Sequence, residues 1–268
     1  MINAHQEVFF EGGLGSQLLS FIEYQAKLKI FDGKVLANVN YFKQNRINNS
    51  RQVNRPWRLD QYGFSLEHFT RANSQTKIPE GKIARPLISE HANFILQHRI
   101  FEFSKEIDLV LPSKIENVKI QNIVLRDQEF GSIHLRRGDY RKVASHLVAL
   151  SDILLLVRRQ SSIVPSTMFF FTDSILSPLE KFRLKKTFRE IKKTLILIEG
   201  IKHLTDIEIH GIMRQSKFLV ASNSTFSFSS ALLNIFQDSK IYVPSMFHKD
   251  EASVMNNVYT SIPRFNKY

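Results

Sequence analysis

The residues best suited to chemistry lie in the segment 134–140, His-Leu-Arg-Arg-Gly-Asp-Tyr, which follows a short apolar run. An arginine can direct two parallel N–H bonds at a phosphate, so Arg136 and Arg137 suit a diphosphate leaving group. Asp139 could orient an arginine or accept a hydrogen bond from a hydroxyl. Alternation along a strand predicts His134 and Arg136 on one face and Arg137 on the other. The alternative is a solvated basic strand end with an internal arginine–aspartate pair.

A glycine-rich loop at 12–17, Gly-Gly-Leu-Gly-Ser-Gln, lies between a predicted strand and a predicted helix. Glycines let the backbone approach an anion, and the helix N-terminus supplies unbonded N–H groups and the positive end of the helix dipole. Leu18 stands where a dinucleotide-binding fingerprint needs glycine, and the absence of a following Gly-Lys-Ser or Gly-Lys-Thr excludes a P-loop. The loop is therefore either a ligand-binding loop or a plain tight turn.

A third polar segment, Ser-Asn-Ser-Thr-Phe-Ser at 222–227, follows a predicted strand and precedes a predicted helix over 228–236. Hydroxyl and amide groups at a helix N-terminus can cap the helix, and they can also bind phosphate oxygens. Capping alone needs only one of these residues. Both interpretations stay open at this point.

Other catalytic chemistries lack the residues they need. The chain contains no Cys, which excludes a disulfide framework, a thiol nucleophile and a Cys-ligated metal site. It has no His-Glu-x-x-His motif, no cluster of metal ligands and no Gly-x-Ser-x-Gly elbow for a serine nucleophile. Four scattered histidines are interpreted as structural: His146, His203, His210 and His248.

The elements that position these segments follow an α/β pattern. In the second half, short apolar segments alternate with longer amphipathic ones, which is typical of a parallel sheet covered by helices. The predicted strands are 131–135, 168–171, 195–198, 218–221 and 241–243. The N-terminal part predicts a strand, a helix over 14–30 and a second strand. The sequence thus favours two α/β domains, 1–115 and 116–268, with a C-terminal tail able to return to the first.

The charge of the chain favours anionic partners. Its net charge is +12 and its sequence pI is near 9.8, which suits nucleic acid, an anionic membrane face or a phosphorylated substrate. The helix-like segment 179–193 carries seven Lys or Arg and two Glu. Its apolar residues are predicted to form one buried stripe: Leu179, Phe182, Phe188 and Ile191. Since no exposed aromatic residues are expected there for base stacking, we expect a peripheral electrostatic contact with anionic lipid rather than nucleic acid binding.

The sequence shows no targeting segment. The longest apolar run, 147–157, is interrupted by Ser151 and Asp152 and falls short of the roughly 20 residues that a spanning helix needs. The N-terminal residues lack the basic start and apolar stretch of a signal peptide. We therefore expect a cytoplasmic protein whose membrane contact, where it occurs, is peripheral and on the inner membrane.

The three polar segments, in this order, resemble glycosyltransferase family 11, the α-1,2-fucosyltransferases. That family opens with Gly-Gly-Leu-Gly-Asn-Gln, carries His-x-Arg-Arg-Gly-Asp-Tyr in mid-chain and has Asn-Ser-Thr-Phe-Ser at the start of a late helix. Secondary matches cover much of the rest of the chain, at 57–62, 170–174, 213–220 and 241–244. The His-x-Arg-Arg motif is shared with α-1,6- and protein O-fucosyltransferases, so it supports fucosyl transfer more firmly than the α-1,2 linkage.

The resemblance implies a GT-B fold, with two Rossmann-like domains facing across a cleft and the nucleotide held mainly by the C-terminal one. It implies an inverting, metal-independent reaction without a cofactor. L-Fucose would move from the donor GDP-fucose to a galactoside hydroxyl of an oligosaccharide or lipid-linked precursor, as in bacterial O-antigen biosynthesis. Without a metal, arginine and helix N-termini must neutralise the departing diphosphate.

The resemblance also implies roles for individual residues. The catalytic residues would be Arg136, as the clamp on the β-phosphate, His134 and Asp139. The donor-binding residues would be Gly13, Gly15, Ser16, Gln17, Arg137, Asp173, Asn223, Ser224, Thr225 and Phe226.

Two positions depart from the family pattern. Ser16 stands where the family has Asn in its first loop, and 228–232 reads Phe-Ser-Ser-Ala-Leu where the family has Trp-Trp-Gly-Ala-Trp. The Ser16 difference leaves open a related GT-B enzyme that uses another nucleotide sugar. The net charge leaves open a third alternative, a basic nucleic-acid-binding protein.

Overall fold

The structure is a computed structural model that describes residues 7–32, 35–43, 55–69, 84–100, 120–123, 129–138, 148–200, 204–247 and 254–268. The chain divides into two compact units, Met1–Leu111 and Pro112–Tyr268.

The first unit begins with a strand, a helix and a second strand. β1 (Glu7–Phe9) and β2 (Leu36–Asn38) pair in parallel, and α1 (Leu14–Ile30) connects them. Apolar residues recur along α1 at helical spacing, and the central ones, Leu18, Leu19, Phe21 and Ile22, are fully buried. The described part of this unit also contains α2 (Asn40–Lys43), two 3₁₀ turns (Leu59–Tyr62 and Leu66–Phe69) and α3 (Ala84–Gln97).

A buried polar cluster joins α1 to α3. His91 Nδ1 bonds a carboxylate oxygen of Glu23, and His91 Nε2 lies 3.1 Å from Ser20 Oγ. Burial alone would raise the pKa of Glu23, but the hydrogen bond and charge of His91 and the charge of Lys27 outweigh it, so this pKa is lowered. The order serine–histidine–glutamate matches a hydrolytic triad. Because Ser20 is wholly inaccessible and the other two side chains are buried, the cluster is structural.

The second unit is built on a six-stranded, fully parallel sheet. Its strands are β3 (Phe130–Leu135), β4 (Thr167–Thr172), β5 (Thr194–Glu199), β6 (Phe218–Val220), β7 (Lys240–Val243) and β8 (Phe265–Lys267). Its described residues include the helices α4 (Leu150–Arg159), α5 (Pro178–Glu190), α6 (Asp206–Arg214), α7 (Thr225–Leu232) and α8 (Val254–Ser261). The spatial order β5-β4-β3-β6-β7-β8 is that of a Rossmann-like fold.

The direction of the chain across this sheet reverses beside β3. From β3 the chain moves outward to β4 and β5, and it then returns to the other side of β3 to form β6. Because such crossovers are right-handed, α4 and α5 cover one face of the sheet, and α6 and α7 cover the other. The side chains of β3 agree with this arrangement: Ile133 and Leu135 pack with α4 and α5, whereas His134 contacts Phe226 of α7.

Burial on both faces explains the apolar composition of the central strands. Every residue of β3 and β4 is buried, and β4 reads Thr-Met-Phe-Phe-Phe-Thr. Gly131 in β3 makes room for the neighbouring strand, because a Cβ there would lie 2.3 Å from Met168 Sδ. The core therefore fixes the register of the two strands whose ends carry the polar segments.

Two elements differ from the sequence-based expectation. β8 is not predicted by the sequence; it pairs in parallel with β7, so residues 265–268 extend the second sheet rather than return to the first unit. The helix after β6 begins at Thr225 instead of 228. Ser224 caps it there, and a cap defines a helix start more firmly than the onset of apolar residues does.

The predicted stripe on α5 divides between two sides of the helix. Phe188 is buried and Ile191 is partly buried against the core, whereas Leu179 and Phe182 are 57% and 62% exposed. At 3.6 residues per turn, the two pairs lie on opposite sides of the helix axis. The expectation of one buried stripe is therefore wrong. Within the described ranges, no helix combines the length and apolar content needed to cross a membrane.

Candidate functional site

The carboxyl ends of β3 and β6 lie side by side where the strand order reverses. Ile133 of β3 is paired with Val220 of β6, and both strands end within two residues of this pair. The chain segments that follow β3 and β6 run in opposite directions along the sheet. Open α/β sheets bind ligands in the crevice between two such segments. The polar segments 134–138 and 222–227 therefore meet at this switch point.

His134 joins the two segments. Its Nδ1 lies 3.0 Å from Ser222 Oγ, and its ring centroid lies 5.6 Å from that of Phe226. Burial, assisted by the charge of Arg136 and opposed by that of Asp173, lowers the pKa of His134 to about 4. The imidazole is therefore neutral at pH 7, and its hydrogen bond holds the two strand ends together.

Asp173, directly after β4, fixes the loop that carries the arginines. Its Oδ1 accepts hydrogen bonds from the backbone N–H groups of Arg137, at 2.7 Å, and Gly138, at 3.0 Å. Its Oδ2 lies 3.0 Å from Arg136 Nη1. A Cβ at position 138 would lie 2.4 Å from Asp173 Oδ2, so glycine there lets the carboxylate approach the loop. One carboxylate thus orients a guanidinium and closes a turn.

Arg137 lies on the opposite side of the sheet from His134, as strand alternation predicts. Its Nη2 lies 3.0 Å from Glu180 Oε1 on α5. Glu180 also closes the capping box at the start of that helix with Ser177. A donor-binding role for Arg137 stays a prediction. Asp139, expected among the catalytic residues, lies outside the described residues.

The third polar segment forms a turn and the first residues of α7. Ser224 Oγ accepts the N–H of Phe226 at 3.3 Å, and Ser227 Oγ donates to the carbonyl of Ser222 at 3.0 Å. Capping therefore accounts for Ser224. Thr225 and Phe226 are half-buried at a helix N-terminus, the position at which helices bind anions.

Two contacts from later in the chain support this turn. Asn223 Nδ2 donates to the carbonyl of Phe247 at 3.1 Å. The hydroxyl of Tyr268 donates to the carbonyl of Ala221 at 2.8 Å. Burial, followed by the charge of Asp152, raises the pKa of Tyr268 far above its ordinary range, so this hydroxyl stays a donor. The sequence does not predict the Tyr268 contact, because Tyr268 and Ala221 are 47 positions apart and no local pattern indicates a bond between them.

His210 on α6 is a further residue of this region that sequence reasoning treats as merely structural. Its ring centroid lies 5.5 Å from that of Phe226, and its Nε2 lies 3.1 Å from Ser229 Oγ. Burial lowers the pKa of His210 to about 3. Phe226 therefore contacts two neutral imidazoles, those of His134 and His210.

We expect the second unit to lose stability as the pH falls below neutrality. Because the folded-state pKa values of His134 and His210 lie below the ordinary 6.5, the unfolded chain takes up protons first. Their contribution is complete above about pH 6.5 and declines as the pH falls toward 4, by roughly 4 kcal/mol in total between pH 7.5 and 5. Denaturant unfolding at pH 7.5 and at pH 5, followed by circular dichroism, measures this change in the free energy of unfolding.

Substitutions at single histidines provide the control for this pH effect. His210→Gln should remove about half of the pH dependence, whereas His98→Gln, at an exposed histidine, should leave it unchanged. An unfolding free energy of the second unit that is equal at pH 7.5 and 5 would contradict the neutral state of both buried rings.

The glycine-rich loop belongs to the first unit. Gly12 has a φ of +72°, a conformation that favours glycine, and Gly13 forms the N-cap of α1 in an extended conformation. Gly15 is buried in the first turn of the helix, and Ser16 is half-buried. The loop is thus a tight turn into a helix N-terminus, and ligand binding by Gly13, Gly15 and Ser16 stays a prediction.

Gln17 has a structural function in this unit. Its Nε2 donates to the carbonyls of Gly12 and Pro56, each at 2.9 Å. Its Oε1 accepts the backbone N–H of Arg58 at 2.9 Å. The side chain is fully buried. Both amide hydrogens are thus used to tie the glycine-rich loop to residues 56–58, and donor binding by Gln17 stays a prediction.

We expect Gln17→Leu to destabilise the first unit by roughly 3 kcal/mol, because it leaves three backbone groups without their partners. Gln97→Leu, at an exposed position on α3, is the matched control and should change stability by less than about 0.5 kcal/mol. Thermal unfolding reported by the single tryptophan, Trp57, measures both. Equal stability of the two variants would show that the three bonds contribute nothing.

The predicted site residues thus fall into two groups. His134, Arg136, Asp173, Asn223, Ser224, Thr225 and Phe226 lie together at the carboxyl edge of the second sheet, and Gly13, Gly15, Ser16 and Gln17 lie in the first unit. Among the described residues, no His, Asp and Glu side chains are grouped so that they could hold a metal ion. No model of a known protein family matches the chain, and no curated protein is significantly similar to it.

Proposed function

We propose that this protein is an inverting glycosyltransferase that moves L-fucose from GDP-fucose to a galactoside hydroxyl of a bacterial surface glycan precursor. The observation that carries the proposal is at the switch point of a Rossmann-like sheet, where His134, two residues before Arg136, contacts Ser222 and Phe226 at the start of α7. An arginine beside a helix N-terminus suits a diphosphate group. Two of the three sequence segments that resemble those of fucosyltransferases, at 134–138 and 222–227, meet there.

In the proposed reaction the acceptor hydroxyl oxygen forms a bond to the anomeric carbon of the donor. The bond from that carbon to the β-phosphate oxygen breaks, its electron pair leaves with GDP, and the acceptor proton passes to a base or to water. Negative charge therefore grows on the diphosphate, and groups that bind it best at that moment accelerate the step. We assign this role to Arg136, whose guanidinium Asp173 holds.

His134 and Phe226 have supporting roles in this proposal. A neutral, buried His134 keeps the ends of β3 and β6 together without itself attracting the phosphate. The half-buried ring of Phe226 offers an apolar face for a nucleobase at the start of α7. Both residues thus shape the pocket, and Arg136 supplies the charge.

The proposal includes the GT-B arrangement, in which the first unit supplies the acceptor side and its glycine-rich loop faces the donor. The proposed acceptor is an oligosaccharide or a lipid-linked glycan at the cytoplasmic face of the inner membrane. No cofactor or metal takes part in the proposed step.

Ser16 favours a second candidate, a transferase of the same fold with another nucleotide sugar. A serine side chain is shorter than the asparagine of the resembling family, so it would reach less far toward donor phosphates. Its donor would be another GDP-sugar or a dTDP-sugar, so the sugar bound at the switch point would differ from fucose.

Nucleotide titration and a donor screen test both candidates. We expect isothermal titration to show binding of GDP in preference to UDP and dTDP, and mass spectrometry to show fucose transfer from GDP-fucose to a β-galactoside. A clear preference for another nucleotide or sugar would replace the first candidate with the second. Absence of binding for all three nucleotides would overturn both, and tight, salt-sensitive binding of an oligonucleotide would then support the nucleic-acid alternative.

A further inference from the structure

The helices α4 and α5 and the turn before α5 expose several large apolar side chains. Seven large apolar residues are exposed within the described ranges, and four of them belong to α4, to α5 or to the turn before α5. These four are Leu155, Ile175, Leu179 and Phe182, each at least 45% exposed. Scattered exposed apolar residues are ordinary, but a group of them on one side of a protein marks a contact surface. We call this surface the α4–α5 face.

The α4–α5 face is also strongly basic. Its exposed cations are Arg158, Arg159, Arg183, Lys185, Lys186 and Arg189, and its exposed acids are Asp152 and Glu190. Glu190 lies 3.2 Å from Arg158 and 3.9 Å from Lys186. On α5, the residues three, four and seven positions after Phe182 are cations on the same side of the helix. The exposed phenyl ring is therefore surrounded by positive charge.

A groove of about 560 Å³ lies between the two helices on this face. Its lining includes the buried side chains of Leu150 and Leu154 and the exposed ones of Leu179 and Phe182, with cations around them. Arg137 lines it as well, and the backbone N–H of Arg137 binds Asp173 at the switch point. The groove thus lies beside the candidate site, at the same edge of the sheet.

We propose that the α4–α5 face binds a bilayer that contains acidic phospholipids. Acidic headgroups match its cations, and the side chains of Leu179 and Phe182 would enter the boundary between headgroups and acyl chains. A small soluble anion would leave these apolar side chains in water, and a single phenyl ring offers no series of stacking platforms for a nucleic acid. The contact therefore combines charge with apolar insertion, and it does not depend on the reaction proposed above.

Sedimentation with lipid vesicles tests this surface directly. We expect the protein to sediment with vesicles of phosphatidylcholine that contain about 30% phosphatidylglycerol, but not with pure phosphatidylcholine. Each Lys or Arg beside acidic lipid should strengthen binding by about fivefold. Salt at about 0.5 M, where screening acts within a few ångströms, should release most of the protein.

Two pairs of variants separate the apolar and the electrostatic contributions. Leu179→Ser with Phe182→Ser keeps the charge and should weaken vesicle binding by about tenfold or more. Ile30→Ser, at an exposed apolar position in the first unit, is its matched control. Arg183→Gln with Lys186→Gln should weaken binding by about twentyfold, whereas Lys240→Gln, at the opposite edge of the sheet, should change it little.

The tryptophan fluorescence of Phe182→Trp tests directly whether residue 182 enters the bilayer. Trp57 is the only tryptophan of the natural chain and lies in the first unit, so the unchanged protein is the control. We expect brominated lipid to quench the additional emission of the variant and to leave Trp57 unaffected.

Each of the following outcomes would overturn the proposal: equal sedimentation with neutral vesicles, no sedimentation with either kind, or unaltered binding by both double variants. Loss of a dimer in light scattering on Leu179→Ser with Phe182→Ser would assign the face to a second copy of the chain instead. Melting curves exclude misfolding as the cause, because exposed substitutions should change stability by less than about 0.5 kcal/mol.

Discussion

Arg136→Ala is expected to reduce sugar transfer by about a hundredfold to a thousandfold, the usual cost of removing one preorganised group that stabilises developing negative charge. Arg136 Nη1 lies 3.0 Å from Asp173 Oδ2, so the guanidinium is held in place before the substrate arrives. Its removal leaves the bonds of Asp173 to the loop backbone intact. The loss should therefore appear in turnover and in GDP affinity, and the melting temperature should hardly change.

Two further variants make the Arg136 experiment specific. Arg136→Lys keeps the charge but cannot direct two parallel N–H bonds at one phosphate, so it should recover little activity. Arg159→Ala removes an exposed arginine from α4 and should leave transfer unchanged. Transfer by Arg136→Ala within about threefold of the unchanged protein would refute the assignment.

The strands and helices that surround the candidate site are largely predictable from the sequence. β3, β4, β6 and β7 form where short, mainly apolar segments predict strands, because residues on both faces of these strands are buried. The helix α1 has the predicted bounds because its apolar positions recur at helical spacing after the glycine-rich loop. The local sequence pattern is therefore enough to predict a strand or helix whose residue types are determined by burial.

Features that depend on distant partners could not be predicted in this way. β8 reads Phe-Asn-Lys and has only one buried residue, so nothing in its composition indicates an edge strand. The exposure of Phe182 follows from how α5 lies on the sheet, which periodicity alone does not determine. The strand order that brings segments 134–138 and 222–227 together is likewise a property of the whole sheet.

Asp173 shows the same limit within the candidate site. The sequence indicates a polar residue after a strand, but the roles of its two oxygens depend on a loop 35 residues earlier in the chain. The role of Gly138 also depends on a distant residue, because a Cβ at this position would lie 2.4 Å from Asp173 Oδ2. The types of these two residues are visible in the sequence, but the distances between them depend on the folded structure.

We expect Asp173→Ala and Asp173→Asn to have different effects, because the two carboxylate oxygens do different things. Alanine removes the acceptor of the Arg137 and Gly138 N–H groups and the partner of Arg136, and should cost roughly 2–4 kcal/mol of stability together with most GDP binding. Asparagine keeps one oxygen for the two N–H groups and places an NH₂ group against Arg136. Its stability should stay within about 1 kcal/mol of the unchanged protein, while transfer falls at least tenfold.

Comparison of the two Asp173 variants therefore separates loop closure from guanidinium orientation. Asp238→Asn, which changes an exposed aspartate paired with Lys217, is the matched control and should alter neither stability nor transfer. Gly138→Ala provides an independent route to the same geometry, since its methyl group would displace the carboxylate from Arg136 without removing any charge. If Asp173→Asn transfers sugar normally, orientation of Arg136 by this carboxylate does not contribute to the rate, and Asp173 serves only to close the loop.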